Sequence, residues 1–503
     1  MNTTKLLTFA FQKRLREIDR YATDTLMIQQ NQLYRLIMAA RNTEWGKKYD
    51  YNTIDTYDEF SKRVPLQTYE EVKPYVERML RGEQNILWGS DIVWFAKSSG
   101  TTNDKSKFIP VSREALDECH YQGGKDAVAI YLRMNPESRF LSGKGLILGG
   151  SHKPDELAEN IHYGDLSAVL IQNVSFMVDM IRVPSKEIAL MDEWEAKLEA
   201  MANSTVKENV TNMSGVPSWF LVLIKKILQK ENKKNLLEVW PNLEVFFHGG
   251  ISFAPYREQY KELIPSDQMH YVETYNASEG FFGIQNDFND ASMLLMIDLG
   301  VFFEFIPLEE IDAPKPTVVP LWQVEPGRNY AVVISTNSGL WRYIIGDTVK
   351  FTSVNPYKFI ITGRTKHYIN AFGEELMVAN ADKGIEIACE KTGAVVTEYT
   401  AGPTFMSGNK KGHHTWLIEF SKAPASTEEF AEILDRELQN LNSDYEAKRY
   451  KGLFLDRLEL IPARTGLFHD WLKNKGKLGG QHKIPRLSNS RTYLEELMGM
   501  NKV

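Results

Sequence analysis

The sequence predicts an α/β protein in two parts, a large N-terminal domain of sheets and helices and a small α+β C-terminal domain. Three observations carry this prediction. The chain has 503 residues, more than one ordinary hydrophobic core supports. Short apolar runs with strand texture alternate with helical periodicity through most of its length. Past Gly363-Arg364 the pattern changes to a few strands around one capped helix. The boundary is placed near Lys366, giving domains 1–365 and 366–503.

Each element has its own justification. Up to about Asn42, apolar residues recur at helical spacing, with Leu26, Leu33, Leu36 and Ile37 among them. Thr68, with Glu71 three positions on, is a capping box that starts a helix running toward Met79. Ile92-Val93-Trp94-Phe95 reads as a strand; a Ser/Gly/Thr loop follows, then the strand Phe108-Ile109-Pro110-Val111. Strand texture returns at 145–148, 243–247, 302–305 and 331–334, with helical patterns at 219–228 and 256–263. In the C-terminal part, 395–399, 414–420 and 454–460 read as strands. Ser426 with Glu429 caps a helix through Leu441, and 473–481 is a mobile loop rich in Lys and Gly.

Composition excludes several classes. Hydrophobic residues at 43% and charged residues at 25% give the balance of a soluble globular protein. The net charge of −7, without a long basic block, argues against nucleic acid as a partner. Cys119 and Cys389 supply neither a disulfide framework nor a Cys-based zinc site, which fits a reducing compartment. No apolar stretch approaches the roughly 18 residues of a membrane span. Arg14, Arg16 and Asp19 interrupt the N-terminal apolar residues before a signal-peptide core forms. A cytoplasmic protein with no membrane partner is expected.

Four constellations carry candidate chemistry. Ser98-Ser99-Gly100-Thr101-Thr102, with Lys105 and Lys107 beyond, offers small hydroxyl residues, a glycine and positive charge of the kind that holds a polyphosphate. It is not a P-loop, because Asp104-Lys105 breaks the final Gly-Lys spacing and a strand follows instead of a helix. Alone it is equally a polar hairpin turn. Tyr275-Asn276-Ala277-Ser278-Glu279-Gly280 places an aromatic ring beside a hydroxyl and a carboxylate, suited to a base, a phosphate and Mg²⁺. Alone it is a strand end with a surface Glu. In Trp341-Arg342-Tyr343-Ile344-Ile345-Gly346-Asp347, a carboxylate after a strand-ending glycine suits a ribose diol, or is an Asp in a turn. Thr362-Gly363-Arg364-Thr365-Lys366, with Gly373-Glu374-Glu375-Leu376 after it, reads as a turn followed by a helix.

The order of these four, with Phe302-Phe303-Glu304-Phe305-Ile306-Pro307, Gly339-Leu340-Trp341-Arg342-Tyr343 and His482-Lys483-Ile484-Pro485-Arg486, resembles the auxin-responsive Gretchen Hagen family of acyl-acid amido synthetases. That family is a branch of the adenylate-forming ligases. The resemblance spans nearly the whole chain. It implies a large adenylate-forming domain that binds ATP and an acyl acid, and a small mobile C-terminal domain. It implies activation of a carboxylic acid by ATP with Mg²⁺, then transfer to an amine, expected to be an amino acid.

By the same resemblance Ser98, Ser99, Gly100, Thr101, Thr102 and Lys107 close over the β- and γ-phosphates. Tyr275 packs the base, Ser278 and Glu279 meet the α-phosphate and Mg²⁺, and Asp347 holds the ribose with help from Arg364. Lys366 is the hinge, and Lys483 reaches the reacting phosphate. The family usually has Gly where this chain has Asp104, a carboxylate that belongs beside a triphosphate only if it points away or binds metal. Coenzyme A as acceptor, or a non-catalytic acid-binding protein of the same fold, are the alternatives.

Other residues are weaker candidates. His413-His414 reads as an exposed strand start. His248-Gly249-Gly250 ends a buried-looking strand, and the resemblance sets it along the nucleotide or acyl pocket. Trp219, Phe220, Phe281 and Phe282 are core or acyl-pocket aromatics, and no Gly-x-Ser-x-Gly elbow supports a serine hydrolase.

Overall fold

The computed structural model describes residues 3–99, 106–148, 150, 155–158, 160–191, 193–251, 253, 256–365, 368–406, 411–450, 455–475 and 484–501. The chain divides into two compact units, Met1–Lys97 with Phe108–Thr365, and Ser98–Lys107 with Lys366–Val503. The α/β organisation expected from the sequence is present.

The first unit is built on a 12-stranded mixed sheet. Arg182–Val183, Lys144–Ile147, Val210–Gly215, Val245–His248 and His270–Ala277 lie side by side and parallel. Parallel neighbours need a crossover, and Pro217–Glu231 supplies one, with proline at its first turn where the missing N–H costs nothing. From His270–Ala277 the sheet continues antiparallel through Gly280–Gln285, Met293–Leu295, Tyr357–Arg364, Tyr343–Val354, Asn329–Thr336, Val301–Pro307 and Val319–Pro320. Every residue of Val301–Pro307 is buried, so this strand is covered on both faces.

Strand alternation sorts the parallel strands' side chains between two faces. Phe247 meets Tyr131 of the helix Tyr121–Met134 with ring centroids 5.8 Å apart. On the opposite face Phe246 meets Phe220 of the crossover helix at 5.0 Å. A second sheet of four strands contains Ser106–Val111, Trp94–Ser99, Ile161–Gly164 and Asp155–Ala158. In the second unit, Val395–Thr404, His413–Lys422 and Glu459–Ala463 form a three-stranded sheet. The helices Val378–Thr392 and Thr427–Leu441 supply much of its core, with Ile385, Phe430, Leu434 and Leu438 buried.

Several boundaries differ from the sequence expectation, and pairing explains most of them. The first strand begins at Trp94, where pairing with His162 of the parallel strand Ile161–Gly164 begins, and runs through Ser98 and Ser99, so the small-residue stretch starts inside a strand. Of the expected strand 454–460, residue 454 lies outside the described residues, and the last strand begins at Glu459, opposite Thr415. Lys473 and Asn474 finish the helix Leu467–Asn474 instead of opening a loop. Leu26 is exposed in the first turn of Thr25–Ala40. Buried Gln29 pins that helix, donating to the carbonyls of Ile297 and Val301 and accepting from the Phe303 N–H. His413 does sit at a strand edge, but His414 is fully buried. Its Nε2 lies 2.8 Å from a Glu374 carboxylate that also accepts the Ala371 and Phe372 N–H groups.

Candidate active site

The strands His270–Ala277 and Gly280–Gln285 form a hairpin whose two-residue turn is Ser278-Glu279. Tyr275 lies near the end of the first strand, on the face shared with Tyr271 and Glu273. Its ring is buried against Phe282 and Phe359, and its hydroxyl donates to the Asp347 carboxylate. Burial, and then the charge of Asp347, hold that hydroxyl well above its ordinary range, so it remains a donor. The charge of Glu279 bears on the hydroxyls of both Tyr275 and Tyr343.

Asp347 does not follow a strand end. The strand Tyr343–Val354 continues through it, and Gly346 at φ +96° absorbs a bulge against Asn329–Thr336. The bulge keeps its place in the ladder because the Thr365 N–H bonds the Gly346 carbonyl at 2.8 Å. Arg364 ends the neighbouring strand Tyr357–Arg364 directly opposite Asp347, so it too belongs to a strand and not to a turn. Its Nε donates to the carboxylate at 2.8 Å. Asp347 is thus fixed by a tyrosine and an arginine while lone-pair positions on its two oxygens remain for further donors.

A short helical segment braces the hairpin. His120 Nδ1 lies 2.9 Å from the Asn276 side-chain oxygen, and the Phe281 N–H donates to Cys119 Sγ at 3.2 Å. Burial pushes His120 down to about 4, against the hydrogen bond to Asn276, and pushes the Cys119 thiol up to about 12. Both are neutral packing groups near pH 7.

A second support sits under the strand that carries Asp347. Arg342 donates to Glu304 from Nη2 at 2.8 Å and from Nε at 2.9 Å. Its Nη1 donates to the carbonyls of Ser61 and Val64, and the Tyr57 hydroxyl donates to Glu304 at 3.0 Å. Sequence reasoning quoted both residues without pairing them. The signal was a lone carboxylate within Phe302-Phe303-Glu304-Phe305, which needs a partner once buried. For Cys119-His120 the sequence held no signal.

The structure brings together Tyr275, Ser278, Glu279, Asp347 and Arg364 in the first unit. Ser98 and Ser99 continue the strand that begins at Trp94, and Phe108, just after Lys107, donates its N–H to the Tyr69 hydroxyl at 2.9 Å. Gly100, Thr101, Thr102, Asp104, Lys105, Lys366 and Lys483 lie outside the described residues. Phe220, Phe281 and Phe282 are buried in the core. Among the described residues no three His, Cys, Asp or Glu side chains form a metal cluster, and no helix is long and apolar enough to cross a membrane.

The fold is shared with a solved 2-hydroxyisobutyryl-CoA ligase in complex with 2-HIB-AMP and CoA. That structure has a TM-score of 0.54 and 15% identity over 97% of this chain and 92% of that one. It is shared also with the GH3.15 acyl acid amido synthetase, with a TM-score of 0.61 and 20% identity over 97% and 96%. The chain belongs to the GH3 family: the family's N-terminal domain matches residues 14–269, its central domain 294–364 and its C-terminal domain 379–492. Curated relatives include the indole-3-acetic acid-amido synthetase GH3.3 of Arabidopsis thaliana, 23% identical over 96% of this chain and 93% of that protein. The 4-substituted benzoates-glutamate ligase GH3.12 of the same plant is 25% identical over 97% and 96%. The family resemblance read in the sequence is borne out.

Proposed function

We propose that the chain is an ATP-dependent acid–amino acid ligase acting in two steps. A substrate carboxylate oxygen attacks the α-phosphorus of ATP, forming an acyl-adenylate and expelling pyrophosphate. An amino-acid nitrogen then attacks the acyl carbon, the amide forms, the amine proton is lost, and AMP leaves with its bonding pair. Neither step asks the protein to form a covalent bond, so alignment and charge neutralisation carry the catalysis.

The observation that supports this function best is Asp347 fixed between Tyr275 and Arg364 in a chain of this family. Asp347 then accepts the two ribose hydroxyls, and Arg364 keeps its carboxylate oriented. Tyr275 borders the base, and Ser278 faces the α-phosphate. Glu279 and Ser278 offer hard oxygen donors, the kind Mg²⁺ takes when substrate phosphates complete its shell. When bound there, the ion offsets negative charge on the phosphate oxygens. Ser98 to Thr102, with Lys107, hold the β- and γ-phosphates, and Lys483 neutralises the reacting phosphate. We assign the alternation between steps to rotation of 366–503 about Lys366, which removes Lys483 before the amine arrives. Two free cysteines, one of them buried, suit the cytoplasm.

Pyrophosphate release from ATP and Mg²⁺ with a panel of carboxylic acids tests the first step. Adding amino acids or coenzyme A then tests the acceptor, read as conjugate by mass spectrometry. Release followed by an amide is expected. No release with any acid sinks the enzyme, and a thioester alone sinks the amino-acid acceptor.

A further inference from the structure

The strand Ser106–Val111, which carries Lys107, is tied at both ends to the pair of strands that includes Asp347. At its far end the Ser112 N–H donates to the Ser338 hydroxyl at 3.0 Å, and the Ser112 hydroxyl donates to the Asn337 carbonyl at 2.6 Å. Asn337 and Ser338 lie in the connection from Asn329–Thr336 to Tyr343–Val354, and all three residues are buried.

At the near end, beside Lys107, the anchor is Tyr69. This residue is buried, and its hydroxyl accepts the Phe108 N–H at 2.9 Å. Two residues earlier, Gln67 runs alongside Tyr343. The Gln67 N–H donates to the Arg342 carbonyl at 2.9 Å, and the Ile344 N–H donates to the Gln67 carbonyl at 2.8 Å. Between Gln67 and Tyr69 the capping box sets the direction of the chain, because Glu71 accepts the Thr68 N–H at 2.7 Å where the helix Tyr69–Met79 begins. Three consecutive residues therefore join the strand of Asp347 to the strand of Lys107. Tyr343, beside this bridge, also senses Glu279: burial first, then Glu279 and Tyr69, hold its hydroxyl well above the ordinary range.

A segment that holds phosphates loses conformational freedom when they bind, and a root fixed beforehand lowers that cost. The Tyr69 ring packs in the core, and its hydroxyl is the part that reaches the strand of Lys107. We propose that Tyr69 is a positioning residue: by holding the Phe108 N–H it presets the strand of Lys107 against the strand of Asp347, so that triphosphate and ribose are met together. We rest this on the ATP-binding function proposed above. The contribution belongs only to nucleotides that reach both strands, so ATP gains it and AMP does not.

Titration calorimetry on the full chain, with Mg²⁺ present and no acid, compares ATP with AMP and tests this directly. Tyr69→Phe keeps the ring and removes the acceptor. It should weaken ATP roughly fivefold and leave AMP within about twofold. In pyrophosphate release, KM for ATP should rise by a similar factor while KM for the acid stays unchanged. Glu71→Ala loosens the first turn of the helix and leaves Tyr69 in place, so it should shift ATP the same way by less. Because Glu71 is exposed, that variant keeps the test intact if Tyr69→Phe folds poorly. Equal weakening of ATP and AMP marks a merely structural residue and overturns the proposal. So does an ATP affinity unchanged in both variants. ATP binding that depends on Tyr69, without pyrophosphate release from any acid, leaves the bridge standing and removes the ligase function. Release with ATP affinity indifferent to Tyr69 does the reverse, and a chain that binds neither nucleotide removes both.

Discussion

Two polar clusters lie buried in the first unit, and they differ in one respect. Around Arg342 and Glu304, whose side chains are 6% and 0% exposed, both charges meet each other, two carbonyls and a tyrosine hydroxyl. Around His248, the imidazole Nδ1 and the Tyr271 hydroxyl meet no partner among the described residues. Both clusters pay desolvation, but among the described residues only the first recovers it. A completed network positions a strand; the second leaves polar atoms without a partner among the described residues.

The comparison can be broken first at its strong end. Arg342→Ala leaves Glu304 buried and uncompensated, which should cost about 3–5 kcal/mol of stability by urea denaturation. A loss under about 1 kcal/mol would rank the pair with exposed ion pairs and erase the contrast.

Acid sharpens it next. His248 in the folded chain sits at about 3, below its ordinary 6.5, so the unfolded chain takes up the proton first. The neutral state's contribution is therefore full above about pH 6.5 and drains as pH falls toward 3. Between pH 7 and pH 5 the loss from this residue should be about 2 kcal/mol. In His248→Gln that part of the acid limb should flatten; an unchanged limb would mean that the imidazole is not held neutral by burial.

The smallest effect discriminates most cleanly. Tyr57→Phe removes a hydroxyl bonded to Glu304 and should cost about 1–1.5 kcal/mol. Tyr271→Phe removes a hydroxyl with no partner among the described residues and should change stability by less than about 0.5 kcal/mol. Equal costs in thermal melts would show that Tyr271 has a partner in solution.

The fold was largely legible because its signals are local. Capping pairs at Thr68–Glu71 and Ser426–Glu429 begin the helices they predicted, and apolar runs such as 302–305 fell inside strands. Strand ends were less legible, since the neighbour sets them: His162 decides where Trp94 begins and Thr415 where Glu459 begins. Asp347 was expected after a strand end but lies within a strand, because a glycine ends a strand or bulges it according to the ladder beside it. Glu304–Arg342 and His248–Glu273 join residues 38 and 25 positions apart in sequence, and no periodicity reports such pairings. The site residues came from the order of four short motifs, each of them ambiguous by itself.

Cys119 turns the brace under the hairpin into a natural reporter. Its sulfur accepts the Phe281 N–H in a buried setting that holds the thiol at about 12, so an alkylating reagent meets neither access nor thiolate in the closed state. Modification there requires the helical segment and the hairpin to separate. The labelling rate therefore counts excursions in which Ser278 and Glu279 lose their footing. A nucleotide that needs that turn in place would show itself by silencing the thiol, without any assay of turnover.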